Sequence, residues 1–240
     1  MRFFYSWLGS AEAFSRRHER PLVTLSYAQS LDGSIAVQRG LPTAISGQES
    51  TIMTHWLRSA HDAILVGIGT ILADNPRLNV RLVEGPSPQP IILDSNLRTP
   101  TDCRIMQEHT RKPWLAAANT IAKSKLEMLE EAGGEGILLP VDRSGGIELP
   151  ALLESIWKKG IFSLMVEGGA AVITSFLNQG LVDYAVITIA PAFIGGFNVL
   201  LDGDLSYRDG TDIFAFPVLD HPQFQQYGAD LVVWGKVQYP

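Results

Sequence analysis

The stretch Ala63-Ile64-Leu65-Val66-Gly67-Ile68-Gly69-Thr70-Ile71-Leu72 decides the fold class of this 240-residue chain. A short apolar run ending at a glycine reads as a strand buried on both faces. The residues after Gly67 open a short helix, so a strand feeds a helix through a glycine turn. The same order recurs along the chain. Further strands are predicted over residues 22–28, 91–94, 113–118, 136–140, 162–166, 184–190 and 231–234, and helices over 121–131, 150–158 and 170–179. This alternation predicts an α/β fold with a mostly parallel central sheet and helices on both faces. No crossover helix precedes the final strand, which follows the Pro- and Gly-punctuated residues 193–229. An antiparallel C-terminal edge is therefore expected.

Upstream of the opening strand, Ser46-Gly47-Gln48-Glu49 forms a capping-box pattern, with Ser46 as the cap and Glu49 reaching back. The helix that follows is expected to bury Ile52, Trp56 and Ala60, with Met53 and Leu57 beside them. Thr51, His55 and Arg58 fall on its opposite face. Residues 1–20 carry Arg16, Arg17, His18 and Arg20 together and read as an N-terminal extension, a surface helix or arm. Residues 21–240 show no repeat and no low-complexity linker, so a single domain is expected there.

Apolar residues make up 46% and charged residues 18%, an ordinary globular balance. Lys and Arg number 19 against 25 Asp and Glu, a formal charge of −6. That balance argues against nucleic acid or an anionic membrane as partner. No apolar run approaches the ~20 residues that a spanning helix needs, and the N-terminus lacks the pattern of a signal peptide. A cytoplasmic protein is the expectation. The single cysteine, Cys103, cannot build an internal disulfide or a Cys-rich zinc site. The five histidines show no metal-ligand spacing, so no metal is expected. The nucleophile elbow and the P-loop pattern are likewise absent from the sequence.

Three segments carry candidate chemistry. The Gly67-Ile68-Gly69 turn approaches a dinucleotide fingerprint, but Leu72 stands where its last glycine belongs. It is either a tight strand-to-helix turn or a place where a ligand meets bare backbone. Val166-Glu167-Gly168-Gly169-Ala170 runs from a buried strand into a helix start, whose N–H groups and dipole suit a phosphate. It too reads equally as a plain turn. Glu167 stands at the carboxyl end of its strand, where open α/β sheets place ligands, and is either a ligand contact or an ion-pair partner. Arg77 and Arg81 follow the first turn and its Asp74-Asn75-Pro76 segment. A single arginine there is more often a solvated charge; two guanidinium groups near a glycine turn raise the odds of a phosphate pocket.

Taken in order, Ser30-Leu31-Asp32-Gly33, Leu57-Arg58, the run from Val66 to Leu78, Leu93-Asp94-Ser95-Asn96-Leu97-Arg98, Val166-Glu167-Gly168-Gly169 and the run from Ile189 to Gly196 resemble one family. It is the reductase domain of the riboflavin-biosynthesis deaminase/reductase, and especially its stand-alone archaeal and fungal relatives. The resemblance covers about residues 21–240. It implies a dihydrofolate-reductase-like fold, NADPH as hydride donor, preferred over NADH, and a homodimer. The implied reaction reduces the ribosyl group of a phosphoribosylamino-pyrimidine to a ribityl group. Position by position, it implies cofactor contacts at Thr70, Asp74, Ser95, Gly168, Gly169 and Ala170. Substrate contacts are implied at Arg58, Leu78, Arg81 and Glu167, with Glu167 also the catalytic candidate. Ser95 and Arg98 are the residues placed to meet a 2′-phosphate. Two departures stand out: Ser26 replaces a lysine of the bifunctional domain, and Asn75 replaces an aspartate. A reductase of a pterin or another small heterocycle, and a catalytically inactive nucleotide-binding protein, are the alternatives.

Overall fold

The computed structural model describes residues 5–200 and 215–240. The first four residues of the N-terminal extension, and part of the punctuated 193–229 stretch, lie outside the described residues. In chain order the elements are α1 (Tyr5–Leu8), α2 (Ala11–His18), β1 (Leu22–Ser30), β2 (Ser34–Ala36), α3 (Gln48–Ala60), β3 (Ala63–Gly67) and α4 (Ile68–Asp74). They continue with β4 (Gln89–Leu93), α5 (Arg104–Glu108), β5 (Trp114–Ala118), α6 (Lys123–Glu131), β6 (Glu135–Leu139), α7 (Leu149–Lys158) and β7 (Ser163–Val166). The last are α8 (Ala170–Asn178), β8 (Tyr184–Ala190), β9 (Phe197–Asn198), β10 (Val218–Tyr227) and β11 (Asp230–Gln238). The chain forms two compact units, Met1–Leu22 with His55–Leu164, and Val23–Thr54 with Met165–Pro240.

The first unit holds four parallel strands in the order β3-β4-β5-β6. Ala63 pairs with Gln89, Ile91 with Trp114, and Trp114 with Glu135. All five β3 residues are buried, as a strand covered on both faces requires. Their core includes Ile64, Val66, Ile71, Ile92, Leu97, Ile105 and Leu115. The second unit holds β10-β11-β8-β1. There β1 and β8 are parallel, from Thr24 opposite Tyr184 to Ser30 opposite Ala190, while β11 runs antiparallel to both β8 and β10. The sheet is thus mostly parallel with an antiparallel C-terminal edge, as the element order predicts. Among the described residues no helix is long and apolar enough to cross a membrane.

Three local expectations are corrected. Helix α3 starts at Gln48, so Ser46 is not its cap; the Gly47 N–H donates to Asp230 Oδ2 at 2.8 Å, and the Ser50 hydroxyl donates to the same oxygen. A distant carboxylate does the work assigned to a local box. The buried positions of α3 are Ser50, Met53, His55 and Leu57, while Ile52, Trp56 and Ala60 are only half-buried. His55 is therefore not on an open face. Finally, β10 occupies part of the stretch read as punctuation. It carries Pro222 beside His221, which has a φ of 44°, and its pairing with β11 breaks between Asp220 and Gln223. A proline is compatible with a strand only at such a bulge or edge.

Candidate functional site

In the first unit, α4 leaves β3 at Gly67 with no side-chain cap on its N-terminus. Ile68 and Ile71 face the core. Gly69 is exposed, and a Cβ built there meets nothing within 4 Å. The protein itself does not require a glycine at that point. Thr70 and Asp74 stand one turn apart on α4, the spacing that puts two side chains on one face. Partial desolvation raises the Asp74 carboxyl above its ordinary range.

Ser95 follows β4 in a turn organised by Asp94, whose side chain is fully buried. Asp94 Oδ2 accepts from the Arg98 N–H at 2.6 Å, the Thr99 N–H at 2.8 Å and the Thr99 hydroxyl at 2.8 Å. Arg98 Nε lies 3.5 Å from Asp94 Oδ1, so this guanidinium already has an anionic neighbour.

The arginines separate. Arg77 pairs with Glu108 across a half-exposed surface. Arg58 and Arg81 meet at one residue: Arg58 Nη1 donates to the Asn79 carbonyl at 3.3 Å, and Arg81 Nη1 donates to Asn79 Oδ1 at 3.2 Å. Leu78, just before, has a φ of 52° and is only 2% exposed, packed in the core. Asn79 and His55 were not singled out in the sequence. An asparagine placed between two candidate arginines was the available signal for the first.

In the second unit, β7 leads through Glu167, Gly168 and Gly169 into α8. Glu167 is half-buried. A Cβ on Gly168 would lie 2.8 Å from two Val172 atoms, and Gly169 has a φ of 57°. Both glycines therefore have backbone or packing reasons of their own. Gly169 is the N-cap of α8 and offers no side-chain bond to the helix start. An uncapped helix N-terminus of nine residues is open to an anion. Within the first unit, bare backbone at Gly69 and hydroxyls at Thr70 and Ser95 suit a nucleotide; within the second, the uncapped start at Ala170 suits a phosphate.

The RibD C-terminal domain model matches residues 21–233. The chain belongs to the RibD C-terminal domain family. It is 39% identical over 196 residues to the 2,5-diamino-6-ribosylamino-4(3H)-pyrimidinone 5′-phosphate reductase of Debaryomyces hansenii, covering 73% of this chain and 77% of that relative. It is 38% identical over 187 residues to the Archaeoglobus fulgidus protein of the same name, covering 74% and 83%. The solved structure of the Saccharomyces cerevisiae riboflavin biosynthesis reductase Rib7 superposes with a TM-score of 0.71 at 27% identity, over 98% of this chain and 99% of that one.

The two departures of this RibD-type chain have structural accounts. Asn75 ends α4 in the left-handed region, with its N–H donating to the Ile71 carbonyl at 3.1 Å. Its Oδ1 accepts from the Arg104 N–H at 2.8 Å, at the start of α5. Asparagine tolerates that backbone better than most residues, so Asn75 is a joint between two helices. Ser26 is buried within β1, where a lysine's ammonium would need a partner.

Proposed function

We propose that this chain is an NADPH-dependent oxidoreductase of riboflavin biosynthesis that reduces the ribosyl group of a 5-phosphoribosylamino-pyrimidine to a ribityl group. The observation that carries the substrate class is the meeting of Arg58 and Arg81 at Asn79. Two guanidinium groups tied to one small residue suit a phosphate, and a neutral heterocycle has no use for them. The names of the fungal and archaeal relatives favour the diaminopyrimidinone over the uracil as the ring reduced.

In this reading Arg58 and Arg81 hold the ribose 5-phosphate, with Leu78 beside them. By the family resemblance, Thr70, Asp74 and Ser95 are assigned to the cofactor, and so are Gly168, Gly169 and Ala170. The helix start at Ala170 takes the pyrophosphate. When bound, NADPH supplies a hydride for C1′ of the ring-opened sugar. The chain's own part is to hold that carbon in line and to manage the proton that balances the charge. Glu167, at the end of β7, is the carboxyl we assign to substrate contact and to the proton that reaches the sugar-bound nitrogen. We further assign a homodimer in the cytoplasm.

The test follows NADPH oxidation with the phosphorylated diaminopyrimidinone, the corresponding uracil and a dihydropterin. Turnover with the first, and a clear preference for NADPH over NADH, is the expected result. Turnover with dihydropterin instead, or nucleotide binding without turnover, overturns the proposal. Arg81→Ala is expected to lower kcat/KM tenfold to a hundredfold, since a charge-assisted hydrogen bond contributes roughly 1.5–3 kcal/mol. NADPH affinity stays unchanged in that variant.

A further inference from the structure

Resting on that phosphate reading, we propose that His55 is a positioning residue for Arg81, setting the affinity for the phosphorylated form of the substrate. His55 is 1% exposed, although it sits on a helix position that the polar pattern assigns to solvent. Its Nδ1 accepts the Arg81 main-chain N–H at 3.2 Å. For Nδ1 to accept, the ring proton sits on Nε2. Arg58, three residues further along α3, donates to the Asn79 carbonyl. One helix face thus holds the loop at two points, Asn79 and Arg81.

The residue between them is fixed as well. The Val80 N–H donates to the Ser87 hydroxyl at 3.0 Å. Main-chain groups at three consecutive residues are tied, so the backbone under Arg81 is fixed before any ligand arrives. Only the side-chain torsions of Arg81 are left to adjust, and Asn79 Oδ1 restrains one guanidinium nitrogen. Prior fixing of a binding group reduces the ordering cost at association. His55 touches no reacting atom in this scheme. It acts through Arg81, and its effect is confined to substrates that carry the phosphate.

Three variants and two substrates test this. His55→Leu fills the space without an acceptor. His55→Asn keeps an acceptor two bonds from Cβ, where Nδ1 stands. His55→Gln moves the acceptor one bond outward. Steady-state kinetics are measured with the 5′-phosphorylated substrate and its dephosphorylated counterpart, and NADPH binding by calorimetry. His55→Leu and His55→Gln are expected to raise KM for the phosphorylated substrate about tenfold, with kcat within about twofold. KM for the dephosphorylated substrate and the NADPH affinity stay at the wild-type values, and His55→Asn stays close to wild type throughout. The Gln variant carries the test where the Leu variant does not fold. Equal losses with both substrates, no loss with either, or an Asn variant as impaired as Gln overturns the positioning role. A wild-type enzyme indifferent to the phosphate overturns the parent reading and this one with it.

Discussion

Each compact unit ends two of its strands in opposite ways. After β1 and β4 the chain turns on an aspartate that it satisfies itself. Asp94 takes three hydrogen bonds on one oxygen. Asp32 takes bonds from the Ser30 and Ser34 hydroxyls and from the Ile194 and Gly195 N–H groups. After β3 and β7 the chain instead turns on glycine and starts a helix with no side-chain cap. Both kinds of turn read as polar or glycine-rich punctuation in the sequence. Their chemistry differs: the aspartate turns bond their own donors through a side chain, and the glycine turns have no side chain to do so. Carboxylates at strand ends are thus not all ligand contacts.

The largest expected effect is at Asp94. Asp94→Ala leaves the Arg98 and Thr99 N–H groups without their acceptor in a buried place. The expected loss is about 3 kcal/mol of unfolding free energy, read from denaturant titration. NADPH affinity falls with it, because Ser95 and Arg98 lie in the same turn. A variant as stable as wild type would remove the distinction between the two kinds of turn.

A smaller effect, of opposite sign, is expected at Gly69. Its surroundings leave room for a Cβ inside a helix, so Gly69→Ala is expected to stabilise the protein by roughly 0.5–1 kcal/mol. The same methyl narrows the approach of a dinucleotide, so NADPH affinity falls while stability rises. Gly169→Ala provides the contrast: a φ of 57° strains any side chain, and stability falls whatever binds there. Thermal unfolding with and without NADPH separates the three proteins. Equal NADPH affinity in Gly69→Ala and wild type would show that the first glycine turn does not meet the cofactor.

The smallest effect concerns acid. Hydrogen bonds from Ser30 and from the Ile194 and Gly195 N–H groups hold the Asp32 carboxyl well below the usual carboxylate range. A depressed folded-state value means that the ionised form stabilises the fold at neutral pH. That contribution begins to fade as pH falls through the unfolded-state value and is gone below the folded one. Asp32→Asn is expected to flatten this part of the stability profile between about pH 4 and pH 2. A profile identical to that of the wild type would mean that the Asp32 bonds make no net contribution.

The parts of this molecule written in local pattern were legible. Strand β3, the turn at Gly67 and the start of α8 rest on short apolar runs and glycines, which act on their immediate neighbours. What escaped depends on distant partners. Helix α3 begins one residue late because Asp230, far along the chain, supplies its polar contact. His55 falls on the polar side of the helical pattern, yet burial and the Arg81 N–H claim it. Arg77 resembles Arg81 in sequence, and only the structure shows that the first pairs with Glu108 and the second with Asn79. Strand β10 was hidden by its own proline, which marks a break in pairing and not the end of the strand. That Arg58 and Arg81 both bond to Asn79, and that Leu78 is buried in the core beside it, depends on folding and is not written in local pattern.

The bulge in β10 also bears on solubility. Among the described residues β10 pairs on one side only, and it exposes Phe224 at 72%. A long unpaired strand margin invites the same margin of another molecule to add to it, which is how native chains seed insoluble aggregates. Pro222 has no N–H to offer, and the left-handed turn at His221 bends the strand at the same point. Foreign strand addition therefore cannot run the length of β10.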